Sequence, residues 1–401
     1  MSRSALGIAA MGIASPIGIG KDAVARALFA GTRGLIPRHD FIPGRTVHVG
    51  EVGGSLPPVP SGLQSMACRN GRLMLASVAE IADAVEHAAR RFGRDRIAVV
   101  LGTSTSGMAE GEAAYGAVRK NGIWPADFHY RQQETGTLGE FIARALRLTG
   151  PAYTVATACS SSGKAFASAR RLISAGLADA AIVGGADTLC RMTIGGFAAL
   201  EAMSGALCSP FSRNRDGINI GEAAAVFLLT REPGPVQFLG VGESSDAYHI
   251  SAPDPDARGA LMAMRAALDD AGLAPADIAY VNLHGTGTAL NDAMEGKAVH
   301  ALFGGATPCS STKAMTGHTL GAAAACEAAF LWLTLHPEYN PDGRLPPHLW
   351  DGEADPSIPP LALADVGTRL PKDLCRLAML SNSFAFGGSN VALVLARGSA
   401  C

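Results

Sequence analysis

The stretch Tyr153-Thr154-Val155-Ala156-Thr157-Ala158-Cys159-Ser160-Ser161-Ser162-Gly163-Lys164 runs from an apolar, strand-like approach through a polar turn into a helix-patterned segment. Tyr153, Val155 and Ala156 read as a buried strand. Ala165 to Ala175 read as an amphipathic helix with Arg170 and Arg171 on its outer face. A thiol at the mouth of such a helix meets unpaired N–H groups and the positive end of the dipole. Both favour thiolate, the form that attacks a carbonyl. The ordinary alternative for a free cysteine is a small buried hydrophobe, so the rest of the chain has to decide.

Outward from this stretch, strand-like runs recur at Arg96–Gly102, Ala180–Gly184, Ala224–Leu229, Val236–Val241, Ile278–Leu283 and Val391–Leu395. Helical runs fall at Leu73–Arg91, Gly139–Leu148, Lys164–Ala175, Ala257–Ala271, Ala293–Leu302 and Leu320–Leu335. The alternation predicts an α/β architecture with buried sheets. One order appears twice: helix, strand ending in Gly/Thr, then a polar turn into an Ala-rich helix. Chance can produce such an echo. If it is a duplication, two similar halves pack together, with one turn from each facing a shared cleft. The Pro-rich Leu345–Pro371 reads as a surface excursion.

The 401 residues can bury a large core and by length alone allow two or three domains. Hydrophobic residues make up 48% and charged residues 17%, which excludes a disordered chain. A net charge of −2 gives no global field for nucleic acid or anionic membrane. The 8 cysteines are scattered without a C-x-x-C pair, so neither a zinc site nor a dithiol motif is suggested, and a reducing compartment is expected. The segment after Arg3 is punctuated by Gly7, Gly12 and Pro16 and reads as a first strand and turn, not an export signal. Leu320–Leu335 is short for a membrane span and carries Glu327, so it reads as a buried helix. A cytoplasmic protein is expected. Gly18-Ile19-Gly20-Lys21 is not a phosphate loop, because Asp22 stands where Ser or Thr is needed.

Two further turns carry candidate chemistry. His284 lies in Leu283-His284-Gly285-Thr286-Gly287-Thr288, and Lys313 and His318 lie in Ser310-Ser311-Thr312-Lys313-Ala314-Met315-Thr316-Gly317-His318. Singly, each histidine reads as a structural residue and the lysine as solvated. Together with Cys159 they form a less ordinary set.

These motifs resemble those of the β-ketoacyl-acyl carrier protein synthases, the elongating ketosynthases of the thiolase superfamily. The matches are TACSSS at Cys159, HGTGT at His284, STKAMTGHTLGA at Lys313 and His318, and NSFAFGGSN at Asn382–Asn390, with NRDGINIGEAA at Asn214–Ala224 and DAYHISAPDP at Asp246–Pro255. They stand in family order over almost the whole chain. The resemblance implies a thiolase fold, five-layered α-β-α-β-α from two similar halves, 1–235 with the nucleophile and 236–401 with the His/Lys/His set and a Gly-rich gating loop.

It also implies roles. Cys159 would accept an acyl chain, and the N–H groups of Cys159 and Phe386 would form an oxyanion hole. His284 and His318, held neutral, would bind the malonyl thioester carbonyl during decarboxylation. Lys313 would act by its field and hydrogen bonds, and Glu295 would support that lysine and the nearby loops. Asp292 matches another residue of that turn, with a solvated loop position as the other reading. Phe386 would gate the acyl pocket, with Gly387 and Gly388 letting the loop move. Phe384 belongs either to that site or to the core. Thr105 and His129 fall where the family lines its acyl pocket, His129 from the neighbouring subunit. Arg69 and Arg72 match a carrier-docking surface, against plain exposed arginines. No cofactor or metal is implied. The partners implied are an acyl carrier protein with phosphopantetheine-linked acyl and malonyl groups, and a second subunit, identical or a related ketosynthase-like chain; nucleic acid and membrane are not.

The wording of NRDGINIGEAAAVFLL and CRMTIGGFAALEAMS resembles ketosynthases of aryl polyene or other polyketide-like pathways, set against fatty acid elongation. A thiolase would use a second cysteine in a Cys-Gly-Gly turn, where Asn382–Gly388 stands instead, and Cys375 lacks such flanks. A non-catalytic chain-length-factor-like subunit would typically lack Cys159.

Overall fold

The computed structural model describes residues 5–370 and 377–398; Arg3, Pro371, Cys375 and Cys401 lie outside them. Its principal strands are β1 (Leu6–Ser15), β2 (Ile97–Gly102), β3 (Ala152–Val155), β4 (Ala180–Asp187), β5 (Ala223–Thr230), β6 (Val236–Ser245), β7 (Ile278–Asn282), β8 (Pro308–Ser310), β9 (Ala378–Ala385) and β10 (Ser389–Arg397). They pair in the order β8-β7-β9-β10-β6-β1-β5-β4-β2-β3. The path is hinged between β6 and β1, which share only the pairs Leu6–Phe238, Gly7–Gln237 and Ile8–Val236. On one side of the hinge, β3, β2 and β4 run parallel and β5 and β1 antiparallel. On the other, β8, β7 and β9 run parallel and β10 and β6 antiparallel. The two halves of the sheet repeat one pattern.

Alternating side chains convert those strands into layers. Ile97, Val99 and Leu101 of β2 join Ile182, Val226 and Leu228 in a core capped by α1 (Arg69–Ala79), α2 (Ala82–Phe92) and α3 (Thr137–Ala145). Ala98 and Val100 face the other way, toward α4 (Ser161–Ser174) and α7 (Ala323–Leu335). The same central core receives Met379, Leu393 and Leu395 from the second half-sheet. The outer face of that half-sheet packs Leu380, Val394 and Ala396 on α5 (Arg258–Ala271) and α6 (Ala289–Phe303). The result is α-β-α-β-α, five layers, as the resemblance implies.

Four local expectations are corrected. β3 is the end of the sheet and half-exposed, with Tyr153 36% accessible, because among the described residues no strand covers its outer edge. The run Leu73–Arg91 is two helices, broken at Glu80–Ile81, where the Glu80 carboxylate accepts hydrogen bonds from the N–H groups of Ile13 and Lys21 at 3.2 Å. Arg170 is buried, not on the outer face. α4 lies in the central layer, and the guanidinium pairs with Asp270 at 2.7 Å over the Phe238 ring. Leu345–His348 are core residues at the start of the supposed surface excursion: Ser310 Oγ donates to Pro346 O and Ser311 N to His348 Nδ1.

Candidate active site

Cys159 sits in the sharp turn between β3 and α4. Ala158 before it adopts φ 52°, a left-handed conformation unusual outside glycine. Gly102 is required alongside, since a Cβ there would meet Ser162 N at 2.3 Å, so the start of α4 lies directly on β2. The thiol is 5% exposed, and its Sγ lies 3.1 Å from His318 Nε2.

His318 is pinned by its own backbone. Its N–H donates to Asn219 O at 2.7 Å and its carbonyl accepts from Gly221 N at 2.9 Å. The NRDGINIGE segment thus serves to place a histidine from elsewhere in the chain. His284 approaches from the end of β7, its ring centroid 5.2 Å from that of His318 and 6.1 Å from Phe384. Glu295 clamps this turn: its carboxylate accepts from His284 N and Gly285 N, both at 2.7 Å, and from Asn382 Nδ2 at 3.2 Å.

The lysine's partner is Glu327, not Glu295. Lys313 Nζ and Glu327 Oε1 form an ion pair wholly inside the protein. Glu327 was visible in the sequence only as a charge interrupting an apolar helix. A carboxylate fourteen residues beyond a motif lysine, on a helix with no solvent face, is the signal that finds it. Asp292 is likewise not solvated: it is buried and accepts from Phe211 N at 2.8 Å and Gly287 N at 3.2 Å.

Burial dominates the electrostatics. It drives His284 and His318 well below the ordinary histidine range, and the Lys313 charge pushes the same way, so both imidazoles are neutral. Burial raises Glu295 and Glu327 to about 7, opposed respectively by the N–H groups of Gly285 and His284 and by Lys313. The Cys159 thiol is pushed up to about 12 by burial, against the Lys313 charge and the facing N–H groups of Phe386 and Cys159. Cys159 therefore rests as a thiol, not the thiolate expected of a helix mouth, because desolvation outweighs those contributions. Alkylation of Cys159 by iodoacetamide should accordingly climb about 10-fold per pH unit from about pH 7 to about pH 10. A plateau by about pH 8, read by peptide mass, would contradict a buried neutral thiol.

Cys159, His284 and His318 converge on one cavity of about 340 Å³, with Phe384, Phe386 and Phe197 in its wall. Phe386 is 37% exposed and its ring lies 5.4 Å from that of Phe197. Gly387 and Gly388 follow at φ 82° and 73°, and a Cβ on Gly388 would strike Asp246 at 2.8 Å. Among the described residues no group of three or more His, Cys, Asp or Glu is placed to hold a metal.

The remaining expected residues lie elsewhere. Thr105 is buried with its hydroxyl on Asp187 at 2.9 Å, and exposed His129 caps a short turn by accepting from Arg131 N at 3.3 Å. Thr105 does not line the cavity; the pocket expected to receive His129 belongs to a neighbouring subunit. The Arg69 guanidinium pairs with the buried Glu222 and donates to Val52 O, and Arg72 donates to Leu56 O and Pro57 O, so both guanidiniums have partners within the chain.

Comparison with known proteins agrees with this geometry. Residues 60–233 match the model for the beta-ketoacyl synthase N-terminal domain and residues 237–344 that for the C-terminal domain. The 3-oxoacyl-[acyl-carrier-protein] synthase 2 of Staphylococcus aureus is 34% identical over 320 residues, 75% of this chain and 77% of the relative. That of Rhizobium meliloti (strain 1021) is 38% identical over 270 residues, 63% of this chain and 62% of the relative. Among solved structures, the ketosynthase ApeO of Xenorhabdus doucetiae, in complex with its chain length factor ApeC, superimposes with a TM-score of 0.92 at 46% identity, covering 98% of both chains. The ishigamide ketosynthase/chain length factor gives 0.86 at 28% identity, over 99% of this chain and 100% of the other. The chain belongs to the beta-ketoacyl synthase family of acyltransferases.

Proposed function

We propose that this chain condenses a malonyl thioester with an acyl chain held on Cys159, both delivered by an acyl carrier protein. The observation that carries this is the 3.1 Å approach of a neutral His318 to the Cys159 thiol, in a cavity that also holds a neutral His284. The thiol proton passes to His318 Nε2 as sulfur attacks the acyl thioester, and on to the departing carrier thiolate. The tetrahedral oxyanion is stabilised by the N–H groups of Cys159 and Phe386, which already face Sγ. His284 then donates to the malonyl carbonyl, joined by His318 once its single ring proton is on Nε2. Carbon dioxide leaves, the enolate carbon attacks the acyl-Cys159 carbonyl, and Cys159 departs as thiolate and recovers a proton from solvent. Neutral imidazoles suit this step, since each can offer an N–H without competing as an acid. Residues 1–235 supply the nucleophile in this reading, and 236–401 supply the histidines, lysine and gate.

The pathway reading is elongation of an aryl polyene or polyketide-like chain in the cytoplasm, supported by the similarity to ApeO over 98% of both chains. The partner reading is a heterodimer with a chain-length-factor-like subunit, because ApeO was solved with one. Exposed Tyr115, Ile123, Trp124, Tyr130 and Tyr153 all fall between the helix Met108–Asn121 and the open edge of β3. Such a concentration of exposed apolar side chains fits a surface covered by a second subunit, which exposed His129 would meet. No helix among the described residues is long and apolar enough to cross a membrane.

Loading competition tests the pathway. Offered saturated and conjugated polyene acyl carriers together, the protein with its partner should load the polyene at least about 10-fold faster, about 1.4 kcal/mol in barrier. Faster loading of long saturated chains would assign it to fatty acid elongation.

A further inference from the structure

Asp187, the last residue of β4, lies fully buried beneath the site. Its carboxylate takes the hydroxyls of Thr103 (2.6 Å), Ser104 and Thr105 (2.9 Å), and the backbone N–H groups of Ser104 (2.8 Å), Thr105 (2.9 Å) and Gly321 (2.5 Å). All six partners are neutral donors. They belong to two separate pieces of the active site. The 103–105 turn follows Gly102, which lies against the start of α4 behind Cys159, and Thr103 N donates to Val155 O of β3 at 3.2 Å. Gly321 stands three residues after His318, beyond Leu320 held at φ 51°. No side chain fits at Gly321, where a Cβ would meet Ser104 N at 2.7 Å and Asp187 Oδ2 at 2.8 Å. One carboxylate therefore ties the nucleophile's strand–turn–helix to the loop that carries its histidine.

We propose that Asp187 is a positioning residue: it locks the His318 loop against the Cys159 turn and so sets the sulfur–imidazole approach on which acyl transfer depends. This rests on the reading of Cys159 as nucleophile and His318 as its proton partner. The negative charge has a second consequence. It opposes the Lys313 field at Sγ and favours the neutral thiol.

Asp187→Asn keeps the shape but turns an amide toward some of these donors and removes the charge; Asp187→Glu keeps the charge and misplaces the oxygens. Both should lower kcat for condensation about 10-fold, with KM for malonyl carrier within about 2-fold, because a displaced reacting group costs rate more than binding. Asp187→Asn alone should also shift the pH profile of Cys159 alkylation toward lower pH. Unchanged kcat in Asp187→Asn, or a loss of kcat with the alkylation profile unmoved, overturns the proposal. If Asp187→Asn does not fold, Ser104→Ala decides, since that hydroxyl donates to Asp187 and accepts from Gly321 N at 3.2 Å. A kcat loss of about 3-fold is expected and wild-type kcat rejects the role. Acyl loading of the unaltered protein separates the two levels: its failure sinks the nucleophile reading, whereas normal loading with an unaltered Asp187→Asn sinks only this one.

Discussion

Cys159→Ala should abolish acyl loading and lower condensation by at least about 10⁴-fold, because no other described thiol reaches the cavity and the covalent intermediate has no substitute. The fold should survive. Alanine removes one sulfur and leaves the backbone unchanged, and the turn is held by Ser161 Oγ to Ala158 O at 2.6 Å and Ser160 Oγ to Thr157 O at 2.8 Å. Release of carbon dioxide from malonyl carrier should persist at a measurable rate, since His284 and His318 are untouched. That split between the two half-reactions distinguishes a lost nucleophile from a collapsed site. Condensation by Cys159→Ala comparable to the unaltered protein would show that catalysis lies in another chain of the complex.

Lys313→Ala should be the most destabilising single change in the site. It strands Glu327, whose Oε2 has no hydrogen-bond partner and which is 3% exposed. Removing one member of a buried pair costs about 3–5 kcal/mol. The pH dependence has a defined sign. Burial already raises the Glu327 carboxyl to about 7 with the lysine present, and without it the neutral acid is favoured further. A carboxyl whose folded-state value is raised is stabilised relative to the unfolded chain as pH falls, so the deficit should be largest near about pH 8 and shrink toward about pH 6, as denaturant unfolding will report. The double change Lys313→Met with Glu327→Leu should recover most of the stability, because apolar replacements remove the desolvation cost altogether. It should not recover condensation, since the positive field on both histidines and on Sγ is gone. Recovery of activity with stability would reduce the lysine to a structural residue.

The layers and the site differ in how far they could be read from sequence. Period-two runs such as Ile97–Leu101 send alternate residues to two different cores, so the α/β character follows from the pattern itself. The five-layer arrangement followed from motif resemblance, because nothing local to α4 says that both its faces are buried. For the same reason the pattern misplaces Arg170: a long charged side chain in a helical pattern reads as exposed unless its partner, here Asp270 a hundred residues on, is known. The motif residues Cys159, His284, Lys313 and His318 stand at turns flanked by Gly, Ser and Thr, and the fold brings the first, second and fourth into one cavity. Their supports were harder to see. Glu327 and Asp187 sit in apolar elements, and Asn219 acts through its backbone carbonyl, which carries no side-chain signature. The ionisation of Cys159 is not legible in the sequence, because helix-end dipoles are local in sequence whereas burial is set by the whole fold.

The central claim is that Cys159 carries the growing chain. Peptide mass spectrometry after brief incubation with an acyl carrier protein, the partner subunit present and malonyl carrier withheld, tests it most directly. The account predicts the acyl mass on the peptide containing Cys159, at close to one per chain, and its disappearance as β-ketoacyl product forms once malonyl carrier is added. An unmodified Cys159, or product forming while the acyl group sits on a different residue, would contradict it.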